Sequence, residues 1–251
     1  MATDTQSPTT QTDAPASVDR RFRVSSDLYR GLIAEGLIAP DEVGLADGRL
    51  VRASSDDRLD PSDRLYRMPL DVYHRAAEAE LLGPADRVVL LDGLLVETMT
   101  RNPSHVAATL LAQEALSRVM PPGFRVVHEV PLTLSGGLSG RDSEPEPDLM
   151  VVRGDIRDFT ARHPGPAEVA LVVEVSRTSH RKDREALARY ALAGIPTAWV
   201  VDLNGRTVEV HYSPAGEAGY RESAVYREGG AVPVVVNGLD VGRVAVADLP
   251  P

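Results

Sequence analysis

The feature that most restricts how this chain can fold is a single acid inside its most apolar segment. Residues 169–175, Val-Ala-Leu-Val-Val-Glu-Val, have the composition of a buried strand, and Glu174 is their one charged residue. An isolated buried carboxylate costs several kcal/mol of desolvation unless another group pairs with it. The fold must therefore bring a partner, or an opening to solvent, to one face of this strand.

A helix and a hairpin are predicted directly after this strand. The helix begins at about Arg181 and ends at Gly194, a typical C-terminal stop. Residues 197–212 then predict two strands joined at Asn204-Gly205, a pair typical of a type I′ hairpin turn.

Two earlier segments complete the predicted domain. Residues 148–152, Asp-Leu-Met-Val-Val, form a short apolar run, and residues 124–135 alternate like one or two strands. Residues 102–120 predict a helix with Ser104 as its N-cap. Its apolar positions have helical spacing: Val106, Leu110, Leu111, Ala115 and Val119. We therefore expect an α/β domain with a mixed sheet.

The N-terminal third contains two similar segments, residues 22–52 and 66–97. Aligned with one gap, they share residue types at many positions, and each predicts a short helix, a Pro-containing turn and a hairpin. The hairpins turn at Asp47-Gly48 and Asp92-Gly93. We interpret them as a duplicated helix–hairpin module, with chance similarity as the alternative. Only the second copy ends in an acid, Glu97, where the first has Arg52, so only the second is expected to reach a functional cleft.

Composition sets the domain boundaries and excludes several classes of site. Residues 1–19 hold almost nothing that could be buried and are expected to be a disordered tail; 20–65 form the first module copy and 66–251 the main domain. The 251-residue chain has no cysteine, which excludes disulfides, thiolate metal sites and a cysteine nucleophile. No apolar run is long enough to span a bilayer and no signal peptide is evident, so a cytoplasmic protein is expected.

The candidate chemistry lies with carboxylates at strand positions. Asp148 begins one apolar run and Glu174 lies inside another. Two acids at the ends of neighbouring strands repel each other, and such a pair commonly persists by sharing Mg²⁺ or Mn²⁺. Two structural alternatives remain open: Asp148 caps a turn, or Glu174 pairs with an arginine such as Arg189.

A series of motifs resembles the Uma-type "putative restriction endonucleases". In chain order, the motifs are "DRVVLLDGLLVETM", "NPSH", "EPEPDLMVV", "LVVEVS", and a helix that ends in tyrosine before "AGIPTAWVVD". That family belongs to the PD-(D/E)xK nuclease superfamily, and the resemblance covers about residues 66–249. It implies a restriction-endonuclease-like fold, a mixed β-sheet core flanked by helices. It also implies a homodimer that cleaves DNA with Mg²⁺ or Mn²⁺. Because no apolar run could span a bilayer, no membrane partner is expected.

Carried over by position, the resemblance assigns Asp148 and Glu174 as metal ligands and catalytic acids. Glu97, His105 and Lys182 are then expected as auxiliary catalytic groups. Glu144 and Glu146 are candidates for a second ion, with solvated loop carboxylates as the alternative interpretation.

The sequence departs from the family pattern at the catalytic lysine. Ser176 stands two residues after Glu174, and Ala186 occupies the helix position, four residues before Tyr190, where the family commonly has lysine. Lys182 lies one turn earlier on the same helical face. The alternative function is therefore a catalytically degenerate nuclease fold that binds nucleic acid or protein.

Overall fold

A six-stranded mixed sheet forms the centre of the computed structural model. The strands are β5 (Phe124–His128), β6 (Leu149–Arg153), β7 (Val169–Ser176), β8 (Thr197–Asp202), β9 (Thr207–Pro214) and β10 (Tyr220–Arg227). Their order in the sheet is β10-β9-β8-β7-β6-β5. Neighbouring strands run antiparallel except β7 and β8, which are parallel and are connected through helix α4 (His180–Leu192). The predicted α/β class with a mixed sheet is confirmed.

The structure describes residues 20–53, 64–137, 140–177 and 180–250. The predicted disordered tail, residues 1–19, lies outside these ranges. None of the helices in the described ranges is long and apolar enough to cross a membrane.

The two faces of the sheet have separate cores, and strand alternation decides which side chains enter each. Val173 and Val175 pack with Trp199 on one face. That face is covered by α3 (Pro103–Ser117) and the hairpin of β11 (Ala231–Val236) and β12 (Leu239–Ala245). Val172 packs with Tyr190 of α4 on the other face. Glu174 shares the side of Val172, so it faces α4 and not the larger core.

Helix α3 packs through its small residues, which corrects the predicted apolar face. Val106 and Leu110 are 42% and 51% exposed. The buried residues of the helix are Ala108, Thr109, Ala112, Ala115 and Leu116. Small side chains let the helix backbone approach the sheet closely, whereas the larger apolar residues on the outer face would hold it away.

The two N-terminal segments form the same elements in the same order. The first has α1 (Ser26–Ala34), β1 (Val43–Ala46) and β2 (Arg49–Arg52). The second has α2 (Leu70–Glu78), β3 (Val88–Leu91) and β4 (Leu94–Glu97). Both hairpins turn with positive φ at consecutive residues, 49° and 71° at Asp47-Gly48 and 51° and 74° at Asp92-Gly93. These are the angles of a type I′ turn, which Asp-Gly favours.

Equivalent hydrogen bonds recur in the two segments. The hydroxyl of Tyr29 donates to the Val43 carbonyl at 2.8 Å, and that of Tyr73 donates to the Val88 carbonyl at 3.0 Å. An arginine before each helix also donates to the backbone carbonyl of the aspartate in the hairpin turn. Arg23 donates to Asp47 at 3.2 Å, and Arg67 donates to Asp92 at 3.0 Å. The two segments are thus alike in detail; that they arose by duplication stays a prediction.

Each segment also forms backbone hydrogen bonds with the hairpin of the other, and the two share one apolar core. Phe22 N donates to Leu95 O of the second hairpin, and Tyr66 N donates to Leu50 O of the first, both at 2.9 Å. Leu32 and Leu90, both fully buried, belong to a single apolar cluster built from both segments. Each segment therefore completes the other, and they pack as one unit beside the main sheet.

Candidate active site

A cleft of about 620 Å³ lies on the α4 side of the sheet. Its border is formed by the β3–β4 hairpin, the N-terminal end of α3, the start of β6, the end of β7, and helix α4. All five side chains predicted as site residues line this one cleft: Glu97, His105, Asp148, Glu174 and Lys182. The structure therefore brings together residues that are up to 85 positions apart in the sequence (97 to 182).

Asp148 and Glu174 lie on adjacent strands and on the same sheet face. Leu149 pairs with Val173 in the antiparallel β6–β7 ladder, and the same register places Asp148 opposite Glu174. Asp148 is only 6% exposed, and its Oδ2 accepts a hydrogen bond of 2.8 Å from the Val175 backbone N–H. The strand that carries Glu174 thus also holds the neighbouring acid in place.

Tyr190 is the partner that Glu174 requires. Its hydroxyl donates to Glu174 Oε1 at 2.6 Å from the last turns of α4. Burial, followed by the neighbouring charge of Asp148, raises the pKa of Glu174 to about 8, although the Tyr190 hydrogen bond acts to lower it. Near neutral pH the acid therefore carries a proton, which removes most of the cost of placing it there.

The alternative pairing of Glu174 with Arg189 is wrong. The Arg189 guanidinium instead binds the carboxylate of Asp92, with Nη2 to Oδ2 at 2.8 Å. Asp92 lies at the β3–β4 turn, and its Oδ1 also accepts a hydrogen bond of 3.3 Å from Ser143 Oγ. Arg189 thus links α4 to the β3–β4 hairpin, whereas the next residue, Tyr190, contacts Glu174.

Asp148 contacts the side chains of His105 and Arg101 as well as the backbone N–H of Val175. His105 Nε2 lies 2.9 Å from Asp148 Oδ1, and Arg101 Nε lies 3.5 Å from the same oxygen. His105 is positioned by the start of α3, where the Asn102 side chain accepts from the His105 N–H at 2.9 Å. Asn102 is therefore the N-cap, and the predicted cap Ser104 is wrong because Pro103 already occupies the first helical position.

The remaining candidates are spread around the cleft. Glu97 ends β4 and is exposed, and Lys182 Nζ lies 2.8 Å from Met99 Sδ. Glu146 lines the cleft wall, where burial raises its pKa. Glu144 does not line the cleft: it is 4% exposed and accepts from His74 and Thr133, at 2.9 Å and 2.8 Å. Its interpretation as a solvated loop carboxylate is wrong, because its oxygens bind neighbouring side chains.

Of the two similar segments, only the second contributes to the cleft, as expected: the lining includes residues within 89–97 and none of residues 22–52. Arg20 and Arg21, which precede the first helix, line the cleft as well. They arrive there because the chain before α1 pairs with the second hairpin, where Arg21 bridges to Val96.

The charges of the cleft nearly balance. Among the described residues that line it, six are Arg or Lys and seven are Asp or Glu. Within the described ranges, no group of three or more His, Cys, Asp or Glu side chains is arranged to hold a metal ion. The Asp148–Glu174 pair offers two carboxylates, which fits Mg²⁺, an ion that is usually bound by one or two carboxylates while water and substrate oxygens complete its shell.

Two residues that contact the acid pair are not predicted by the sequence. The sequence marks Tyr190 as the end of a helix motif but does not predict its burial beside Glu174. The available signal is a single tyrosine on a helix rich in charged residues. No sequence motif marks Arg101, which lies directly before the Asn102 cap and lines the cleft.

Comparisons with known proteins agree with this architecture. A search of the curated proteins found no match. Among solved structures, the chain is similar to the crystal structure of a putative nuclease belonging to DUF820 from Anabaena variabilis ATCC 29413. The TM-score is 0.53 at 18% sequence identity, over 72% of this chain and 96% of that chain, which shows a shared fold. The family model described as "Uma2: Putative restriction endonuclease" matches residues 70–246, and the chain belongs to this family.

Proposed function

We propose that this protein is a nuclease that hydrolyses phosphodiester bonds in DNA, with Mg²⁺ or Mn²⁺ held by Asp148 and Glu174. The observation that carries the proposal is the placement of these two acids on adjacent strands, at the floor of a cleft lined by arginines. When bound there, the ion would polarise the phosphodiester and lower the pKa of a coordinated water. Family membership supports the same reaction class.

The protein's own groups have distinct tasks in this proposal. The Val175 N–H and His105 fix the orientation of Asp148, and Tyr190 fixes that of Glu174. Lys182, on α4, is the candidate for moving a proton, since a lysine can lose its proton when its surroundings lower its pKa, whereas an arginine cannot. The cleft arginines would attract the charged backbone of the substrate.

Cleavage of a supercoiled plasmid in the presence of Mg²⁺ or Mn²⁺ tests the proposal. We expect nicking by the wild type and none by Glu174→Gln. The matched control is Glu209→Gln, the same change at an exposed position of β9 in the same sheet, which should cleave like the wild type. Equal cleavage by wild type and Glu174→Gln would show that the activity does not come from this site.

A second candidate function is a degenerate nuclease fold that binds nucleic acid or protein without cleaving. Ser176 and Ala186 favour it, because neither can supply the amine that the family commonly has at one of these places. Calorimetric titration with Mg²⁺ and Mn²⁺ separates the two candidates when it is read beside the plasmid assay. Metal binding that requires Glu174, without any cleavage, identifies the degenerate module.

The homodimer expected from the sequence is retained as a proposal. The exposed stripe of Val106 and Leu110 on α3 supports it, since a second copy of the chain could cover these side chains. Sedimentation equilibrium should show a dimer for the wild type and a monomer for Leu110→Asp. Leu239→Asp, at a 68% exposed leucine of β12, should remain dimeric. The cytoplasmic location likewise stays a prediction.

A further inference from the structure

A second concave site lies at the junction of the two N-terminal segments. It is a pocket of about 510 Å³, which is the size of an ordinary small-ligand site. Its wall contains four arginines, Arg52, Arg64, Arg67 and Arg141, and one acid, Asp142. These five side chains carry a formal charge of +3 (+4 − 1), in a chain whose net charge is −10.

Asp142 does not neutralise this cluster. Its two oxygens accept from backbone N–H groups: Oδ1 from Gly136 at 3.0 Å and Oδ2 from Leu70 at 3.2 Å. Within the described part of the chain, the buried Nε of Arg64 has no hydrogen-bond partner. Burial and the nearby Arg141 lower the pKa of Arg67, which indicates that like charges face each other across the pocket. Among the described residues, the pocket therefore concentrates four guanidinium groups beside a single carboxylate.

The likeness of the two N-terminal segments relates this pocket to the active-site cleft. Arg52 ends β2 as Glu97 ends β4, and the two hairpins have the same register. The residues before each helix form a backbone bridge to the hairpin of the other segment. Leu65, before α2, pairs with Val51 of the first hairpin at the pocket, and Arg21, before α1, pairs with Val96 of the second hairpin at the cleft. The pocket is thus the structural counterpart of one corner of the cleft, with an arginine where the cleft has an acid. That exchange converts a corner suited to cations into one suited to anions.

We propose that this pocket binds a phosphate group, carried either by a nucleic acid chain or by a free phosphorylated molecule. Guanidinium groups present planar pairs of N–H donors that match phosphate oxygens, and several converging on one cavity can surround a single group. Arg52 and Arg64 come from the segment before residue 70, where the family match begins. The first segment would therefore add a binding site to the family domain. The proposal does not depend on nuclease activity.

Calorimetric titration of the full-length protein in EDTA, at constant ionic strength, tests this inference without metal. The probes are inorganic phosphate, a single-stranded octadeoxynucleotide with a 5′-phosphate, and the same oligonucleotide with a 5′-hydroxyl. The variants are Arg52→Gln, at the end of β2, and Arg141→Gln, in the loop that follows residue 140. Arg221→Gln is the matched control, because Arg221 is exposed on β10, away from both sites. Thermal melting verifies that each variant is folded.

The wild type and Arg221→Gln should bind at least one phosphate probe. Each pocket variant should bind it at least about tenfold more weakly, the size expected for loss of one charge-assisted hydrogen bond. Tighter binding of the oligonucleotides than of inorganic phosphate assigns the group to a nucleic acid, and the reverse order assigns it to a small molecule. The proposal is overturned if no probe binds, or if both folded pocket variants bind as the wild type does.

Discussion

The hydroxyl of Tyr190 lies 2.6 Å from Glu174 Oε1 and donates a hydrogen bond to it. This contact stabilises the charged carboxylate, yet burial and Asp148 act more strongly in the opposite direction, and the pKa of Glu174 rises to about 8. The helix after β7 thus positions an acid that remains protonated near neutral pH until a cation or a higher pH removes the proton.

This protonation predicts that the metal-free protein loses stability as pH rises. The folded protein keeps the Glu174 proton up to a pH of about 8, whereas an ordinary glutamate loses it near 4.5. The folded state therefore binds more protons than the unfolded state between these values, and the free energy of unfolding falls by at most ~1.4 kcal/mol per pH unit. Urea unfolding in EDTA at several pH values should show this slope in the wild type and a smaller one in Glu174→Gln. Identical slopes for the two proteins would contradict the assigned pKa.

Removing the other acid should have two separable effects. In Asp148→Asn, the charge that raises the pKa of Glu174 is lost, so the pH dependence of stability should shrink. At the same time the amide cannot accept from both the Val175 N–H and His105, which should cost about 1–3 kcal/mol of stability at pH 5. Urea unfolding measures both effects.

The same variant should no longer bind Mg²⁺ or Mn²⁺ in a calorimetric titration. In the wild type, binding should strengthen as pH rises toward 8, because the ion binds the ionised carboxylates. Asp248→Asn, at an exposed aspartate near the C-terminus, is the matched control and should behave as the wild type in both measurements. Retained metal affinity in Asp148→Asn would exclude Asp148 as a ligand.

Local patterns predicted the parts of the fold in which neighbouring residues decide the outcome. The apolar run before Ser176 forms β7, and α4 ends at Leu192, close to the predicted stop at Gly194. Asp47-Gly48 and Asp92-Gly93 form hairpin turns because both residues of each pair can adopt positive φ. The placement of Asp148 and Glu174 in two apolar runs predicts that they belong to adjacent strands, and β6 and β7 are indeed paired.

Long-range packing decided the parts that the patterns missed. Asn204-Gly205 does lie between β8 and β9, but the turn is not type I′: the positive φ falls at Arg206, because the Asp202 carboxylate accepts from the N–H groups of Asn204 and Gly205 at 3.0 Å. Residues 129–135 do not continue β5. Tyr190 as the partner of Glu174 depends on where α4 crosses the sheet, which no local pattern records.

The shared N-terminal core predicts that the two helix–hairpin segments unfold together. Leu32 of α1 is fully buried in a cluster that includes Leu90 and Leu95 of the second hairpin. Leu32→Ala should therefore destabilise both segments, by about 2–5 kcal/mol. Hydrogen exchange should show amides of α2 and β4 losing protection as much as those of α1. Leu239→Ala, at an exposed leucine, should change neither. Protection lost only within residues 20–53 would mean that the segments are independent.

The position of Ala186 predicts a gain of function. Ala186 lines the cleft one helical turn before Tyr190, whose hydroxyl contacts Glu174, so the two residues share a face of α4. A lysine there would add a cationic group beside the carboxylate pair, and Ala186→Lys should raise the rate of plasmid nicking by 10²-fold or more, about the lower range for a positioned proton-transfer group. Lys182→Met, combined with Ala186→Lys, shows whether the native lysine contributes. If Lys182 now supplies the amine from its place beside Met99, Lys182→Met alone should abolish the basal activity, and the double variant should recover it. A rate that neither substitution changes would mean that no amine on this face of α4 takes part in cleavage.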